Sequence, residues 1–351
     1  MEKVDIIGGG IAGLALAALL DPARFDVTIH EQRPELPTVG TTLAMWPGAR
    51  KALAELGLLE AIKAAGAVLE SGALLEPSGH PMLAMEGGGL VGVTRPTLLR
   101  LLDSAVPSSV HRERRRVGEL PAESGLVVGA DGVHSVVRRA AWGAGSLAKA
   151  TDFLAVRGVV PGRPSPETVG EYWGRGSIFG LAPAEGGTNW YASFRSGLGP
   201  ERVDVEEALE VTRRHFSSHS PAVQGILARA TPDISLAQRI WTAPSLSTYS
   251  RGNVVLLGDA AHAMTPNLGR GACETLVDAV TLGSLLNVLP REEALREYNK
   301  ERVLKTQRLR LASSLMGRVA LAQTMQPMRD GLLKQVGKLV SSRRGRVKTP
   351  E

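Results

Sequence analysis

Three consecutive glycines at the end of a short apolar strand constrain the fold of this chain more than any other feature. Val4 to Ile7 is strand-like, Gly8-Gly9-Gly10-Ile11-Ala12-Gly13 follows in the pattern G-x-G-x-x-G, and Ile11 to Leu20 is a helical run of small and apolar residues. Asp26 to His30 forms a second strand that ends at Glu31. Strand, turn, helix and strand within the first ~35 residues are one βαβ unit, the size of a mononucleotide-binding half. Gly8 permits the tight turn, Gly10 lets the backbone approach a pyrophosphate, and Gly13 lets the helix pack close to the strand. The phosphates would rest on the helix N-terminus, where free N–H groups and the helix dipole favour anions. Glu31 comes about 18 residues after Gly13, where a carboxylate accepts from both ribose hydroxyls. This motif serves NAD and FAD alike and does not choose between them.

The rest of the chain continues the α/β pattern and then departs from it. Trp46 to Gly66 is helical, with Pro47 near its start and an interruption at Gly57; residues 67–93 alternate short apolar runs with Gly and Ser, as strands joined by turns do; Pro96 to Ala105 is a helix. Leu126 to Val128 is a strand running into Gly129-Ala130-Asp131-Gly132, with helical Val133 to Trp142 behind it. Composition shifts near Thr151. From there to about Tyr249 lie most of the Trp and Tyr residues, and alternating segments such as Trp190 to Phe194 predict an antiparallel sheet interrupted by one helix, about Val205 to His215. Asn253 to Leu257 is again a buried strand, Cys273 to Leu289 a long helix, and Arg291 to about Lys338 helical throughout. No repeat or low-complexity linker separates these regions, so two interwoven domains are expected: residues 1–66, 95–150 and 250–290 in the first, 67–94 and 151–249 in the second, with 291–351 a C-terminal helical region.

Two further motifs address the cofactor. Gly129-Ala130-Asp131-Gly132-Val133-His134-Ser135-Val136-Val137-Arg138 and Gly258-Asp259-Ala260-Ala261-His262-Ala263-Met264-Thr265-Pro266 follow the glycine motif in order. Together the three resemble the flavoprotein aromatic hydroxylases, the single-component class A monooxygenases with the fold of p-hydroxybenzoate hydroxylase, over the chain from its N-terminus to about Leu289. The resemblance implies an α/β fold: a Rossmann-like FAD-binding domain with a parallel sheet, interwoven with a smaller antiparallel-sheet substrate domain and followed by C-terminal helices. It implies FAD as cofactor, NADH or NADPH as transient reductant, and O2. The substrate would be a small aromatic or heteroaromatic molecule, hydroxylated through a flavin 4a-hydroperoxide in a site the protein keeps dry.

The same resemblance assigns site residues. Asp259 would bind the FAD ribityl chain, and an N-cap role is compatible with that. Pro266 and the stretch Asn267-Leu268-Gly269-Arg270-Gly271-Ala272 resemble the loop beside the isoalloxazine ring, where glycines allow close contact and N–H groups at a helix start stabilise negative charge on reduced flavin. Asp131 and Gly132 belong to a motif tied to FAD pyrophosphate and NAD(P)H; Arg95 matches an arginine that reaches the FAD phosphates; Gln32 and Arg33 follow Glu31, with Arg33 near the adenine. Ser135 and Arg138 belong to the same motif as Asp131 and Gly132, and a helix start with a solvated arginine is their plain structural reading beside it. Arg157 in LAVRGVV matches an arginine placed over the flavin, and Tyr172 in GEYWGRG lies near a tyrosine that orients substrate. A sheet-edge arginine and a core tyrosine are the plain structural readings of those two. His262 is expected as structural support, and Cys273 as a small buried residue. Two departures stand out. Arg270 replaces the glutamine usual in NLGQG, and residues 106–125 are too few for the fuller antiparallel ribbon that relatives build over the adenosine half.

Composition removes several other classes. With 43% hydrophobic and 22% charged residues the chain is that of a globular protein. The single Cys273 excludes an internal disulfide and leaves no cysteine cluster, so no metal is expected. No basic leader precedes the first strand, and no apolar run reaches the roughly 20 residues of a membrane span, so a cytoplasmic monomer or homodimer is expected. The net charge of +6 includes two basic clusters, Arg112 to Arg116 and Ser342 to Lys348. Without interleaved aromatics, which are only 4% of the chain, they do not read as a nucleic-acid surface but as solvated charge that steers NAD(P)H. Three rival readings remain beside the hydroxylase. A flavin-dependent halogenase or reductase lacks support because the halogenase tryptophan pair followed by Ile-Pro is absent. A non-catalytic flavin-binding or substrate-binding homologue would follow from the shortened ribbon. An NAD-dependent dehydrogenase would leave GADG and GDAAH unexplained.

Overall fold

The computed structural model describes residues 1–33, 35–121, 125–200, 202–324 and 326–345. Glu2–Ile7 (β1), Ile11–Leu19 (α1) and Phe25–Glu31 (β2) form the expected βαβ unit. Thr42–Met45 (β3) precedes Pro47–Glu55 (α2) and Leu59–Ala65 (α3), which part at Gly57, where φ is +69° and glycine is favoured. Ala67–Leu75 (β4), Pro81–Thr94 (β5), Arg95–Ala105 (α4), His111–Arg114 (β6) and Leu126–Gly129 (β7) follow. Val136–Trp142 (α5) starts three residues after the predicted Val133, because Gly132 turns with φ +79° and Ser135 accepts from the Arg138 N–H as the cap.

Then come Lys149–Val160 (β8), Gly170–Trp173 (β9), Ser177–Ala184 (β10), Gly187–Arg195 (β11), Val205–His215 (α6), Pro221–Arg229 (α7) and Ser235–Thr242 (β12). The expected single helix in this stretch is thus two. α7 is short and starts on Pro221, with Val223, Ile226 and Leu227 as its buried face. The chain closes with Ser250–Arg251 (β13), Val254–Leu256 (β14), Asp259–His262 (α8), Gly271–Val288 (α9), Arg291–Ala320 (α10) and Gln326–Gly345 (α11). The region expected to be helical throughout, from Arg291 to about Lys338, is two helices divided before Pro327, which has no N–H to donate and is tolerated only in a first turn.

Six strands form the first sheet in the order β13-β14-β7-β1-β2-β6. Every neighbouring pair is parallel except β13 with β14. Parallel strands must be covered on both faces, and Val4, Ile6, Val27, Ile29, Val128 and Val255 share one core with Leu14 and Leu16 of α1 and Leu276 and Leu282 of α9. Where a shortened ribbon was expected, residues 106–125 contribute β6, which simply extends the parallel sheet beside β2.

Eight strands form the second sheet in the order β12-β8-β11-β10-β9-β4-β5-β3. It is antiparallel as expected except for β4 beside β9, which are parallel. These two strands come from separate excursions out of the first sheet, so no hairpin dictates their direction. One face, carrying Leu154, Val156, Phe179, Trp190 and Phe194, packs on Leu209 and Phe216 of α6 and its junction and on Ile226 of α7. Among the described residues no helix is long and apolar enough to cross a membrane.

Candidate active site

β1, β2, β7 and β14 all end at one edge of the parallel sheet, and ligands of such sheets bind outside the carboxyl ends of the strands. Gly8 there has φ +111°, and a Cβ on it would lie 2.4 Å from the Ala130 carbonyl oxygen; a Cβ on Gly13 would lie 1.9 Å from the Gly8 oxygen. The first two motifs are therefore in backbone contact. Gly10 is different, since a Cβ there would meet nothing within 4 Å, leaving the first turn of α1, with the buried Ile11 and Ala12, open to an anion. Glu31 Oε2 accepts from Gly9 N at 2.8 Å and Oε1 from Arg33 N at 2.8 Å. Each oxygen keeps a second lone pair for a hydroxyl. Gln32 and Arg33 stand exposed beside it.

Asp131 Oδ2 accepts from Val136 N at 2.7 Å and Val137 N at 3.3 Å, while its Oδ1 is buried without a partner. Burial raises its pKa above the ordinary 3.8 despite those bonds. Gly132 follows at the turn. Arg138, far from being solvated, is buried and donates to Ser146 O and Ala260 O, each at 2.7 Å, and to Val133 O. It clamps α5 to α8 and so ties the second motif to the third. Asp259, the first residue of α8, is exposed at the cleft, and Arg95 at the start of α4 feels its charge. Burial lowers the Arg95 pKa, Asp259 opposes the fall and Arg33 adds to it. Solvent still reaches Arg95, which tempers its desolvation. Arg157 belongs to the same group: burial, with Arg95 adding to it, brings its pKa down to about 10. Arg33 and Arg157 both lie within electrostatic reach of Arg95, and cations gathered this way suit the cleft to an anion.

Under the third motif lies a buried ionic network. His262 Nε2 meets Asp278 Oδ2 at 2.5 Å with both side chains fully buried, and Gly258 N donates to the same oxygen at 2.9 Å. Arg302 donates to Asp278 Oδ1 at 2.7 Å and Glu274 Oε2 at 2.6 Å, and Arg270 donates to Glu274 Oε1 at 2.7 Å. Burial works against the His262 imidazolium, but Asp278 outweighs it and the pKa rises; burial likewise works against the Asp278 carboxylate, and His262 and Arg302 bring it below its ordinary value. His262 therefore supports the loop from beneath. Pro266 opens a single turn, Gly269 is left-handed at φ +60°, and Gly271 and Ala272 begin α9. The Arg270 guanidinium lies 5.3 Å from the Trp46 ring. Cys273 is buried, donates to Ala44 O at 3.1 Å, and has its pKa pushed up to about 11 by burial, so it is a thiol at neutral pH.

The second sheet brings its face toward this cleft through strand register. Arg157 on β8 pairs with Tyr191 on β11, Tyr191 with Gly180 on β10, and Gly180 with Glu171 on β9, one row across four strands. A Cβ on Gly180 would lie 2.1 Å from the Tyr191 ring. Because Gly180 has none, the ring lies across it and the hydroxyl donates to Glu171 Oε1, while Trp173 Nε1 donates to Glu171 Oε2 at 2.8 Å. Burial and the Glu171 charge hold the Tyr191 pKa well above 10. Among the described residues the Arg157 side chain makes no hydrogen bond or ion pair, although its backbone lies in the sheet.

Tyr172 does not join this row. It is buried in the core against α6 and α7, with its hydroxyl donating to Thr168 O at 3.0 Å, on the face opposite Arg157. The expected substrate tyrosine is thus a core residue, because successive side chains of a strand alternate faces. Glu171, Gly180, Tyr191 and Trp46 were missed; strand alternation around GEYWG held the only signal for the first.

The site also fits the cofactor implied by the motifs. Asp131 Oδ1, beside the Gly8 turn, and Trp46 Nε1 and Arg270 Nε, at the 266–272 loop, are buried polar atoms without protein partners, and buried polar atoms are normally satisfied. A family model described as an FAD binding domain matches residues 102–312, and one described as an NAD(P)-binding Rossmann-like domain matches residues 6–45. The aurachin C monooxygenase/isomerase of Stigmatella aurantiaca is 32% identical over 340 residues, 86% of this chain and 85% of that one. The 3-amino-4-hydroxybenzoate 2-monooxygenase of Streptomyces cremeus is 31% identical over 87% of this chain and 84% of its own. Among solved structures, Klebsiella pneumoniae HpxO complexed with FAD and uric acid matches with a TM-score of 0.83 at 25% identity, over 95% of this chain and 93% of that one. Motifs, fold and relatives agree that the chain belongs to the flavoprotein aromatic hydroxylases and is an FAD-dependent monooxygenase.

Proposed function

We propose that this enzyme hydroxylates a small aromatic or heteroaromatic substrate bearing an acidic oxygen, with NAD(P)H and O2, between the 266–272 loop and the Arg157 row. The observation that carries this reading is the unpaired Arg157 cation in the cleft, beside a tyrosine fixed by Glu171. Hydroxybenzoates, which name two of the relatives, have such an oxygen. Bound FAD would supply the redox chemistry, taking electrons from NAD(P)H and activating O2. The chain's own groups bind and orient. Gly8, Gly10, Ile11, Ala12 and Gly13 present the helix N-terminus to the pyrophosphate, Arg95 adds charge, and Glu31 holds the adenosine ribose with Gln32 and Arg33 beside it. Asp131 and Gly132 flank the phosphates, Asp259 accepts from the ribityl chain, and Gly269, Gly271, Ala272 and Pro266 border the ring. Arg157 attracts the substrate oxygen, and Tyr191 takes the orienting place first expected of Tyr172. Its raised pKa keeps the hydroxyl protonated. In this reading the domains divide as the sequence suggests except at β3, Thr42–Met45, which lies within the expected 1–66 segment but joins the second sheet, and a cytoplasm supplies the reductant.

The test is an absorbance titration of the purified protein with FAD and then with hydroxybenzoates and quinolones. A flavin spectrum that an acidic aromatic perturbs, and an Arg157→Gln variant that keeps flavin but binds that compound about tenfold or more weakly, are expected. Failure to bind flavin at any practical FAD concentration would overturn the reading.

A further inference from the structure

Eight of the thirteen large apolar side chains exposed among the described residues lie on α10 and α11. On α10, Leu304, Leu311, Leu315 and Val319 recur at spacings of seven, four and four, which places them on one face of a helix. Leu304 is 57% exposed and Leu311 59%. The opposite face of α10 is the buried one, through Tyr298, Arg302, Thr306 and Ser313. On α11, Met328, Leu332 and Val336 repeat every four residues and are exposed, while Leu333, Gly337 and the Lys334–Glu76 ion pair anchor the helix to β4, β5 and their turn. Both helices are thus held by one face and present an apolar stripe on the other.

The charge on this arm is equally one-sided. From Val303 to Pro350 the sequence has eleven basic residues and one acidic residue, Asp330, against +6 for the whole chain, so the remainder is net negative. Asp330 is already bound by Arg329. Arg308 and Arg318, both exposed, fall within the leucine stripe of α10 by helical spacing.

We propose that α10 and α11 form a docking surface for an anionic lipid bilayer, on which the enzyme rests without spanning it. An apolar stripe interrupted and flanked by cations is the pattern of a helix lying in the membrane interface, with leucines at the acyl boundary and long basic side chains reaching to the phosphates. Charge chooses this occupant over two others. A second copy would cover the leucines but would bring two strongly basic arms together. A nucleic acid would meet the cations but leave the leucines in water.

The test uses the full chain loaded with FAD and co-sedimented with vesicles of phosphatidylcholine alone or mixed with phosphatidylglycerol. Association with the anionic vesicles at least about tenfold above the neutral ones, falling as salt rises, is expected. The double variant Leu311→Ser with Leu315→Ser should lose about tenfold or more of that binding while keeping flavin content and thermal midpoint, since both side chains are exposed. No preference for anionic vesicles, or binding that the double variant leaves unchanged, would overturn the proposal. So would a dimer that the double variant dissociates, or retention on DNA, in protein that ignores vesicles.

Discussion

At the edge of the parallel sheet the proposed ligand contacts are offered by backbone, whereas on the second sheet they are offered by side chains that register sets in a row. The Gly8 to Gly13 turn, the start of α5 and the 266–272 loop are each a short contiguous stretch, and each needs glycine or a cap at fixed positions. Arg157, Glu171, Gly180 and Tyr191 come from four strands, and none is unusual within its own. A backbone site therefore leaves a readable word in the sequence. A side-chain row leaves none until the strands are paired.

The contrast is tested most severely where buried charge supports the backbone site. Asp278→Asn leaves Arg302 and His262 without their shared carboxylate, and the loss of one partner in such a network costs about 3–5 kcal/mol. Chemical unfolding should report it, together with a pH signature. The raised His262 pKa stabilises fully below its ordinary 6.5 and that contribution is lost as pH rises through the folded value; the lowered Asp278 pKa stabilises above its ordinary 3.8 and is lost as pH falls through the folded value. The gap between wild type and variant should thus be widest between those two ordinary values. A gap independent of pH would contradict the network.

Glycine substitutions in the cradle come next. Gly13→Ala places a Cβ against the Gly8 oxygen and should cost about 1–3 kcal/mol of stability along with flavin binding. Gly10→Ala meets no protein atom and should change stability by less than about 0.5 kcal/mol while weakening FAD binding measured by fluorescence. Equal losses of stability in the two would blur the difference between a packing glycine and a ligand-facing one.

The smallest effects belong to the row. Gly180→Ala pushes the Tyr191 ring off Glu171 and should raise KM with flavin affinity unchanged. Tyr191→Phe keeps the ring in place and forfeits one hydrogen bond, about 1 kcal/mol, so its KM should rise less. A larger effect from Tyr191→Phe would mean that the hydroxyl, rather than the position of the ring, governs binding.

The same distinction explains what could be read from sequence. The βαβ unit, the Gly57 break, GADG and GDAAH were legible because local chemistry demands their residues. Tyr172 was misplaced by one strand position, which is enough to turn a side chain to the opposite face. Arg138 looked solvated because the carbonyls it binds, Ser146 O and Ala260 O, are eight and 122 residues away. α7 was hidden by its brevity, and the parallel pairing of β4 with β9 by the long passage between them. The break before Pro327 was not read, although proline, which has no place in a helix interior, carries its signal.

Oxygen transfer to a ring is the claim on which the account depends, and 18O2 tests it directly. With FAD, NAD(P)H and a substrate that accelerates NAD(P)H oxidation, the product should carry one 18O atom, found by mass spectrometry. Labelled peroxide with unlabelled, unchanged substrate, or a product whose new oxygen comes from water, would contradict it.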